Sequence, residues 1–302
     1  MPRVPDSPEK LEIRTADGRG LGAELDEPMA RAPVGTAIFA HPMFANRSVF
    51  SRPRGAGVAR LFRDAGWRTL AFDFRGHGES TCAGRSPTPE ERPWGYDDLV
   101  RGDLPAVVDA ARVRWPNDRL IVVGHSLGGH VALAAQGAGL VRADALVVAG
   151  TNVWMRRLEP SRRVWLLKLA MLTSMAAVAT RHRYFPARAL RLGTDDEATP
   201  YVDDFTRFGL SGRWTSRSGD VDYQAGLASI SVPTFSLTSA GDNLYCRPVC
   251  AGRLLQPVAR CTHHCVTKND AGGPAPGHMA MVTDAGARDA WQRALAWLAD
   301  AH

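Results

Sequence analysis

One serine in the sequence stands in a setting that favours nucleophilic chemistry. Ser126 is the centre of Gly124-His125-Ser126-Leu127-Gly128, which follows the apolar run Leu120–Val123 and precedes a helix-compatible segment from Val131. A serine at so tight a strand-to-helix turn needs glycine neighbours, because the two backbones pass close together. The turn lifts the hydroxyl out of the sheet, where a base can reach it. The pattern predicts a nucleophilic serine, the alternative being a strand–helix turn with an incidental serine.

A nucleophilic serine needs a base and an acid that orients the base. Asp242 follows the apolar run Val232–Thr238, and His278 stands in a Gly/Pro-rich loop after the run Arg260–Val266. Residues that follow strand ends can converge on one point. We therefore expect Asp242 and His278 to complete a catalytic triad with Ser126.

Other assignments of these residues are open. An aspartate in a Gly-Asp-Asn loop is often a turn residue, and a histidine before a helix is often a cap. His263 and His264 are rival bases, but they fall within a strand pattern. His125 flanks the nucleophile and cannot fold back onto it, and His77 lies in another loop.

Acyl chemistry at Ser126 would also need two backbone N–H groups that bind an oxyanion. Leu127, at the start of the helix behind the serine, supplies one. The loop after the strand Ala37–Ala40 should supply the other. Proline has no N–H group, so Pro42 cannot donate and Met43 is the preferred donor.

Short apolar strands alternate with helices along the chain, which is typical of a mostly parallel sheet with helices on both faces. The expected strands are Leu11–Thr15, Leu21–Asp26, Ala37–Ala40, Arg68–Phe74, Leu120–Val123, Ala143–Ala149, Val232–Thr238 and Arg260–Val266. The expected helices include Gly57–Asp64, Tyr96–Trp115 and Ala285–Ala301. We therefore predict an eight-stranded α/β fold.

One interruption of this pattern, from Thr151 to about Ile230, is too long for a crossover. We expect residues 1–150 and 231–302 to form the α/β core and residues 151–230 to form an inserted helical lid. The lid is rich in aromatic, leucine and methionine side chains, which as a set favour an apolar pocket. The candidate substrate-binding residues are Phe44, His125, Trp154, Trp165 and Met279.

Composition indicates a globular protein: 302 residues, 45% hydrophobic and 23% charged, with net charge +6. Almost all of the positive charge is arginine, which is scattered along the chain, so we expect no nucleic-acid partner. The first residues have no apolar core typical of a secretory signal. The apolar stretch Val164–Thr180 is 17 residues long, contains Lys168 and is short for a membrane span. These features predict a cytoplasmic protein without stable membrane insertion.

The five cysteines, Cys82, Cys246, Cys250, Cys261 and Cys265, are expected to be reduced thiols. Cys246 and Cys250 should share a helix face, and Cys261 and Cys265 a strand face. A metal site or a disulfide is the alternative, but the spacing is not that of a common zinc motif. Small thiols that pack a helix on a strand account for the pattern equally well. We expect no metal and no cofactor.

Several motifs together resemble those of the α/β-hydrolase superfamily, over the whole chain except the lid. They are the His41-Pro42 loop, Asp73-Phe74-Arg75-Gly76-His77-Gly78-Glu79-Ser80, Gly124-His125-Ser126-Leu127-Gly128-Gly129, Gly241-Asp242 and Gly277-His278. Within the superfamily the chain resembles serine aminopeptidase-like and monoglyceride-lipase-like hydrolases. The segment Arg183–Gly193 resembles the lids of a group of bacterial predicted hydrolases. Where an H-G-x tripeptide is common, this chain has His41-Pro42-Met43.

The resemblance implies a Ser–His–Asp hydrolase that needs no cofactor and acts on a small acyl substrate. We expect carboxylic-ester cleavage. The alternatives are peptide or amide cleavage, acyl or thioester transfer, and a non-catalytic binding protein on the same fold. An aminopeptidase would need an acidic group for the substrate amino terminus. The lid supplies candidates for that group: Glu159, Asp195, Asp196, Glu197, Asp203 and Asp204.

Overall fold

An eight-stranded sheet organises the chain in a computed structural model that describes residues 8–29, 32–53, 56–80 and 93–301. Its strands are β1 (Glu9–Arg14), β2 (Gly20–Asp26), β3 (Thr36–Ala40), β4 (Arg68–Phe72), β5 (Leu120–His125), β6 (Ala145–Ala149), β9 (Thr234–Ser239) and β10 (Cys261–Val266). Two short strands outside it are β7 (Tyr184–Phe185) and β8 (Glu197–Ala198). The sheet order is β1-β2-β4-β3-β5-β6-β9-β10. β2 pairs antiparallel with β1 and β4, and the other neighbours are parallel.

The chain has eleven α-helices among the described residues, some of which cover the two faces of this sheet while others lie in the segment between β6 and β9. They are α1 (Val58–Asp64), α2 (Tyr96–Asp98), α3 (Leu104–Arg114), α4 (Leu127–Gly137), α5 (Arg162–His182), α6 (Thr199–Ser211), α7 (Tyr223–Gly226), α8 (Pro248–Leu255), α9 (Lys268–Ala271), α10 (Ala280–Thr283) and α11 (Arg288–Asp300). One hydrophobic core contains residues of α3 and α4, and the other contains residues of α1 and α11. The central strands β3, β5 and β6 are buried at every position, as expected for parallel strands covered on both sides. The predicted fold class is confirmed.

The predicted helix Tyr96–Trp115 contains one wider turn. A π-helical turn, Leu99–Asp103, separates α2 from α3. Its last residue, Asp103, is fully buried and accepts hydrogen bonds from Arg75 N (2.9 Å) and Arg75 Nε (2.7 Å). Apolar periodicity predicts a helix here but does not distinguish one π turn within it.

The segment between β6 and β9 is an insertion of helices and two very short strands. It contains α5, β7, β8, α6 and α7, and α5 packs against α6. α5 begins at the cap Ser161, whose side chain accepts a hydrogen bond from Val164 N, and it ends at Arg183. By length and composition alone, α5 could cross a membrane. The sequence predicts a helical segment here and does not predict the antiparallel β7–β8 pair.

The cysteine predictions are partly right. Cys246 lies before the first residue of α8, whereas Cys250 lies within it, so the two do not share a helix face. Cys261 and Cys265 both lie on β10, four residues apart, and therefore point to the same side of the strand. Cys82 lies outside the described residues.

Candidate active site

Ser126 occupies the tight turn between β5 and α4. Its backbone has φ 52° and ψ −111°, a conformation that costs free energy in a residue with a side chain. The turn depends on two glycines. A Cβ atom on Gly128 would lie 2.0 Å from the carbonyl oxygen of Ala40, and one on Gly124 would lie 2.5 Å from the backbone of Gly129. Glycine at these positions lets α4 pack directly behind the serine, as the motif predicts.

Asp242 and His278 are joined at the carboxyl edge of the sheet. Asp242 follows β9, and its Oδ2 accepts a hydrogen bond from His278 Nδ1 at 2.5 Å. The same carboxylate accepts bonds from Tyr245 N (2.9 Å) and Cys246 N (3.0 Å). Burial alone would raise the pKa of Asp242, but the hydrogen bond with His278 and the N–H group of Cys246 outweigh it and lower that pKa. Asp242 is therefore a carboxylate that fixes the proton of His278 on Nδ1.

The other ring nitrogen of His278, Nε2, has no hydrogen-bond partner among the described residues. Ser126 and His278 line the same cavity. Both residues belong to the described part of the chain, and no hydrogen bond joins their side chains there. Such bonds are often long in unliganded enzymes and shorten with substrate. The structure thus brings the three predicted triad residues to one place, with the His278–Asp242 contact formed.

The rival histidines have other environments. His263 and His264 belong to β10, where the ring of His264 stacks on Phe235, and neither residue lines the cavity. His125 is fully buried, and its Nε2 lies 3.1 Å from the carbonyl oxygen of His278. Burial lowers the pKa of His125 to about 3, so its ring is neutral. Its ring supports the His278 backbone rather than the substrate.

The segment that follows β3, residues Pro42–Asn46, is called the oxyanion loop below. Met43 lies in it and lines the cavity, and Leu127 is the first residue of α4. Neither the Met43 N–H nor the Leu127 N–H bonds to another residue in the described ranges. The N–H of the next loop residue, Phe44, is instead bound by Glu197 Oε1 at 2.7 Å. Both N–H groups are therefore without a partner among the described residues, and the role of Met43 and Leu127 as oxyanion donors stays a prediction.

His41 explains how the loop is held without the usual glycine. Its Nδ1 donates to the carbonyl oxygen of Pro42 (2.8 Å), and its Nε2 accepts from Phe74 N (3.0 Å). Burial, with a contribution from His77, lowers the pKa of His41 to about 3. The ring is neutral, and each nitrogen has the partner that its tautomer requires.

A cavity of about 590 Å³ opens beside Ser126 and His278. Its wall is mostly apolar and comes from the oxyanion loop, α5 and the segment after β7. Its side chains include Met43, Phe44, Val49, Trp154, Met171, Met175, Val178, Phe185, Leu190, Leu192, Tyr245 and Met279. Three of the predicted substrate-binding residues, Phe44, Trp154 and Met279, line it. His125 and Trp165 do not, because both are buried in packing contacts outside the cavity.

Sequence reasoning did not single out Tyr245. Its ring lies 5.1 Å from that of His278, and its carbonyl oxygen accepts from Trp154 Nε1 at 2.9 Å. The sequence signal that could have identified Tyr245 is its position three residues after Asp242. At this spacing a backbone N–H can bind an aspartate side chain, as the Tyr245 N–H does.

None of the acidic residues proposed to bind a substrate amino terminus lines the described cavity. Glu159 binds Lys168 and Arg247, and Asp204 binds Arg217 at 3.0 Å. Glu197 is fully buried beside His77. In the described part of the chain, no three His, Cys, Asp or Glu side chains converge as metal ligands would.

Several solved structures are similar to the chain in fold. Esterase Pf2001 of Pyrococcus furiosus has a TM-score of 0.63 at 15% identity, covering 98% of this chain and 91% of that one. An esterase of Exiguobacterium antarcticum has a TM-score of 0.61 at 15% identity, covering 96% and 99%. XC6422 of Xanthomonas campestris, an α/β serine hydrolase without a lid, has a TM-score of 0.55 at 18% identity, covering 99% and 98%. These similarities show that the chain has the α/β-hydrolase fold.

A family model gives the narrower class. The model of serine aminopeptidase, S33, matches residues 52–250, which include Ser126 and Asp242. Because the match spans more than half of the 302 residues, the chain belongs to this family and is a serine hydrolase. The resemblance noted in the sequence is confirmed. No curated protein matches the chain.

Proposed function

We propose that the protein cleaves carboxylic esters through an acyl-enzyme formed on Ser126. His278 Nε2 takes the hydroxyl proton as Ser126 Oγ attacks the acyl carbonyl carbon. It then donates this proton to the oxygen of the leaving alcohol as the ester bond breaks. Asp242 holds the ring and stabilises its positive charge. A water molecule, deprotonated by the same nitrogen, releases the acid and restores the serine. The Ser126 proton thus leaves with the alcohol, and a proton of the water molecule replaces it on Ser126.

Met43 N–H and Leu127 N–H bind the oxygen that becomes negative during both attacks. These donors gain strength as charge develops on that oxygen, so they stabilise the transition state more than the bound ester. The α4 dipole adds to the effect, because its positive end begins at Leu127. Loss of one such donor costs about 3–4 kcal/mol in comparable sites.

One observation carries the choice of ester: the cavity at Ser126 has a mostly apolar wall to which no aspartate or glutamate in the described residues contributes. A free amino terminus buried against such a wall would lack an anionic partner and would be costly to desolvate. An acyl chain, by contrast, gains about 0.8 kcal/mol for each methylene group it buries. The acyl chain therefore fits the cavity better than an aminoacyl group does.

The insertion, residues 151–230, acts in this proposal as the lid of the acyl site. Met171, Met175 and Val178 of α5 and Phe185 of β7 contribute to the cavity wall. An acyl chain held there lies between the insertion and the oxyanion loop. Thioester cleavage would use the same groups, and only the leaving group would differ.

A chain-length series tests the proposal. We expect kcat/KM for p-nitrophenyl esters to rise from acetyl towards medium chains, by up to about fourfold per methylene, until the cavity is full. Aminoacyl naphthylamides should be poor substrates, and acyl thioesters measured in parallel report on the leaving group. A flat or falling ester series, or a preference for a free amino terminus, would contradict the proposal and favour the peptidase alternative.

A further inference from the structure

Phe44, the neighbour of the proposed oxyanion donor Met43, has an uncommon backbone conformation. Its φ is 65°, in the left-handed region that residues with a side chain rarely adopt. This conformation costs about 1–2 kcal/mol and persists only where surrounding contacts impose it. The contacts on Phe44 therefore determine the shape of the oxyanion loop.

Those contacts come from the insertion. The Phe44 N–H donates to Glu197 Oε1 (2.7 Å), and the Phe44 carbonyl oxygen accepts from Thr194 N (2.7 Å) and Asp195 N (3.1 Å). The Phe44 ring stacks on Phe185, with ring centroids 5.4 Å apart. A residue of the insertion thus satisfies each backbone polar group of Phe44.

Glu197 in turn depends on His77. Both side chains are fully buried, and His77 Nε2 lies 3.2 Å from the same oxygen, Glu197 Oε1, that binds Phe44. The other ring nitrogen, Nδ1, lies 3.0 Å from the carbonyl oxygen of Arg75. Both nitrogens face acceptors, so only the doubly protonated ring satisfies both contacts. His77 is therefore an imidazolium that neutralises the buried carboxylate.

The charges around His77 favour this protonated form. Burial lowers the pKa of His77, but the carboxylates of Glu197 and Asp195 outweigh burial and raise that pKa to about 9. The titratable and charged groups that face His77 are Glu197, Asp195, Asp73 and the neutral His41, whose ring lies 5.0 Å away. As pH rises through about 9, one of the two ring contacts must be lost.

We propose that Glu197 and His77 are positioning residues that hold the oxyanion loop in the conformation that oxyanion binding requires. The inference rests on the proposed function, because it assigns a purpose to the loop beside Ser126. Neither residue touches the substrate, since neither lines the cavity. The loop binds charge that appears only in the transition state. Loss of either residue should therefore lower kcat more than it changes KM.

Glu197→Ala tests the positioning role against a matched control. The control, Asp204→Ala, removes a carboxylate of the insertion that is also buried and that binds one backbone N–H, that of Tyr96, and the guanidinium of Arg217. Asp204 does not line the cavity and does not contact Phe44. We expect kcat for p-nitrophenyl esters to fall at least about tenfold in Glu197→Ala, with KM within about twofold. Asp204→Ala should keep kcat within about twofold. Equal kcat values in the two variants would overturn the proposal.

His77→Gln provides a second test if Glu197→Ala does not fold. Glutamine keeps a neutral donor at this position and removes the titration. We expect wild-type kcat, corrected for spontaneous hydrolysis, to fall as pH rises through about 9. The same decline should be absent in His77→Gln. An identical alkaline decline in the variant would contradict the role of His77.

Labelling by a fluorophosphonate separates this proposal from the proposed function. If the wild-type enzyme is labelled and hydrolyses esters while Glu197→Ala has unchanged kcat, only the positioning role is wrong. If the wild-type enzyme is neither labelled nor active, the proposed function fails and the positioning role fails with it.

Discussion

The sheet edge and the insertion contribute to the same cavity by different physical means. At the sheet edge, backbone geometry places two residues of the proposed triad: the turn after β5 holds Ser126, and N–H groups hold Asp242. The insertion contributes apolar walls, and two buried glutamates connect it to its surroundings. Glu159 binds Lys168 and Arg247, whereas Glu197 binds the oxyanion loop and His77.

In the proposed function, this difference separates the reacting groups at the sheet edge from the apolar walls that the insertion contributes. Groups fixed by strand ends and turns keep their positions as long as the sheet is folded. Contacts that depend on buried charges change with pH, because each pair requires a particular protonation state. We therefore expect substitutions at the sheet edge to affect turnover with little effect on stability. Substitutions in the insertion should affect stability and substrate preference, with the exception of Glu197, which binds the oxyanion loop and whose removal should lower kcat.

Ser126→Ala should have the largest effect. Removal of the nucleophile should lower kcat by about 10⁶-fold, as in serine enzymes whose nucleophile is deleted. Ester turnover and fluorophosphonate labelling measure the loss. The midpoint of urea unfolding should stay close to that of the wild type, because alanine fits the same turn. Normal labelling of the variant would refute the assignment of Ser126.

Asp242→Asn should have the next largest effect on the sheet side. An amide does not hold the proton on His278 Nδ1 as a carboxylate does, so kcat should fall by about 10⁴-fold. The Tyr245 N–H can still bind the amide oxygen, so the loop should keep its shape. Asn243→Ala, an exposed neighbour, is the control and should stay within about twofold of wild-type kcat. An Asp242→Asn variant with near-wild-type kcat would exclude Asp242 as the orienting acid.

The two regions also differ in how far the sequence predicts them. The strand pattern, the glycines around Ser126 and the order of Asp242 and His278 predict the sheet and the triad, because turn chemistry and strand ends are local properties. The partners of Glu197 are not predictable in this way. His77 and Glu197 are 120 residues apart in sequence, and no local pattern in either segment predicts the contact between them.

The error on His125 and Trp165 has a similar origin. From sequence, a histidine beside the candidate nucleophile and an aromatic residue in the insertion are reasonable candidates for substrate contact. Which side of a strand or helix faces a cavity depends on packing over the whole fold. His125 points to the His278 backbone, and Trp165 packs on the buried side of α5.

Glu159→Ala removes the second buried glutamate of the insertion, which binds Lys168 within the insertion and Arg247 outside it. It leaves Lys168, which is fully buried, without its carboxylate, so unfolding should become easier by about 3–5 kcal/mol. Burial raises the pKa of Glu159, but the Ser161 N–H and Lys168 outweigh it and lower that pKa to about 2. A folded-state pKa below the ordinary value means stabilisation that is present above about pH 4.5 and lost as pH falls through about 2.

Urea unfolding at several pH values measures this effect. The difference between wild type and Glu159→Ala should be full at pH 7 and should shrink below pH 4.5. Glu12→Ala removes an exposed glutamate of β1 as the control and should change stability by less than about 0.5 kcal/mol. Equal stability of Glu159→Ala and Glu12→Ala at pH 7 would show that this attachment is dispensable.

Val178→Phe should have the smallest effect and should alter only the insertion side of the cavity. Val178 lines the cavity from α5, and a phenyl ring there would occupy space that the end of an acyl chain would otherwise fill. Each methylene group that no longer fits forfeits about 0.8 kcal/mol, or about fourfold in kcat/KM. The optimum of the ester series should therefore move to shorter chains, whereas kcat/KM for the acetyl ester should stay within about twofold. Val113→Phe, at a valine that is 84% exposed on α3, introduces the same group away from the cavity and should leave the series unchanged. If Val178→Phe and Val113→Phe share the wild-type optimum, α5 does not bound the acyl chain, and recognition would have to reside at the sheet edge together with the chemistry.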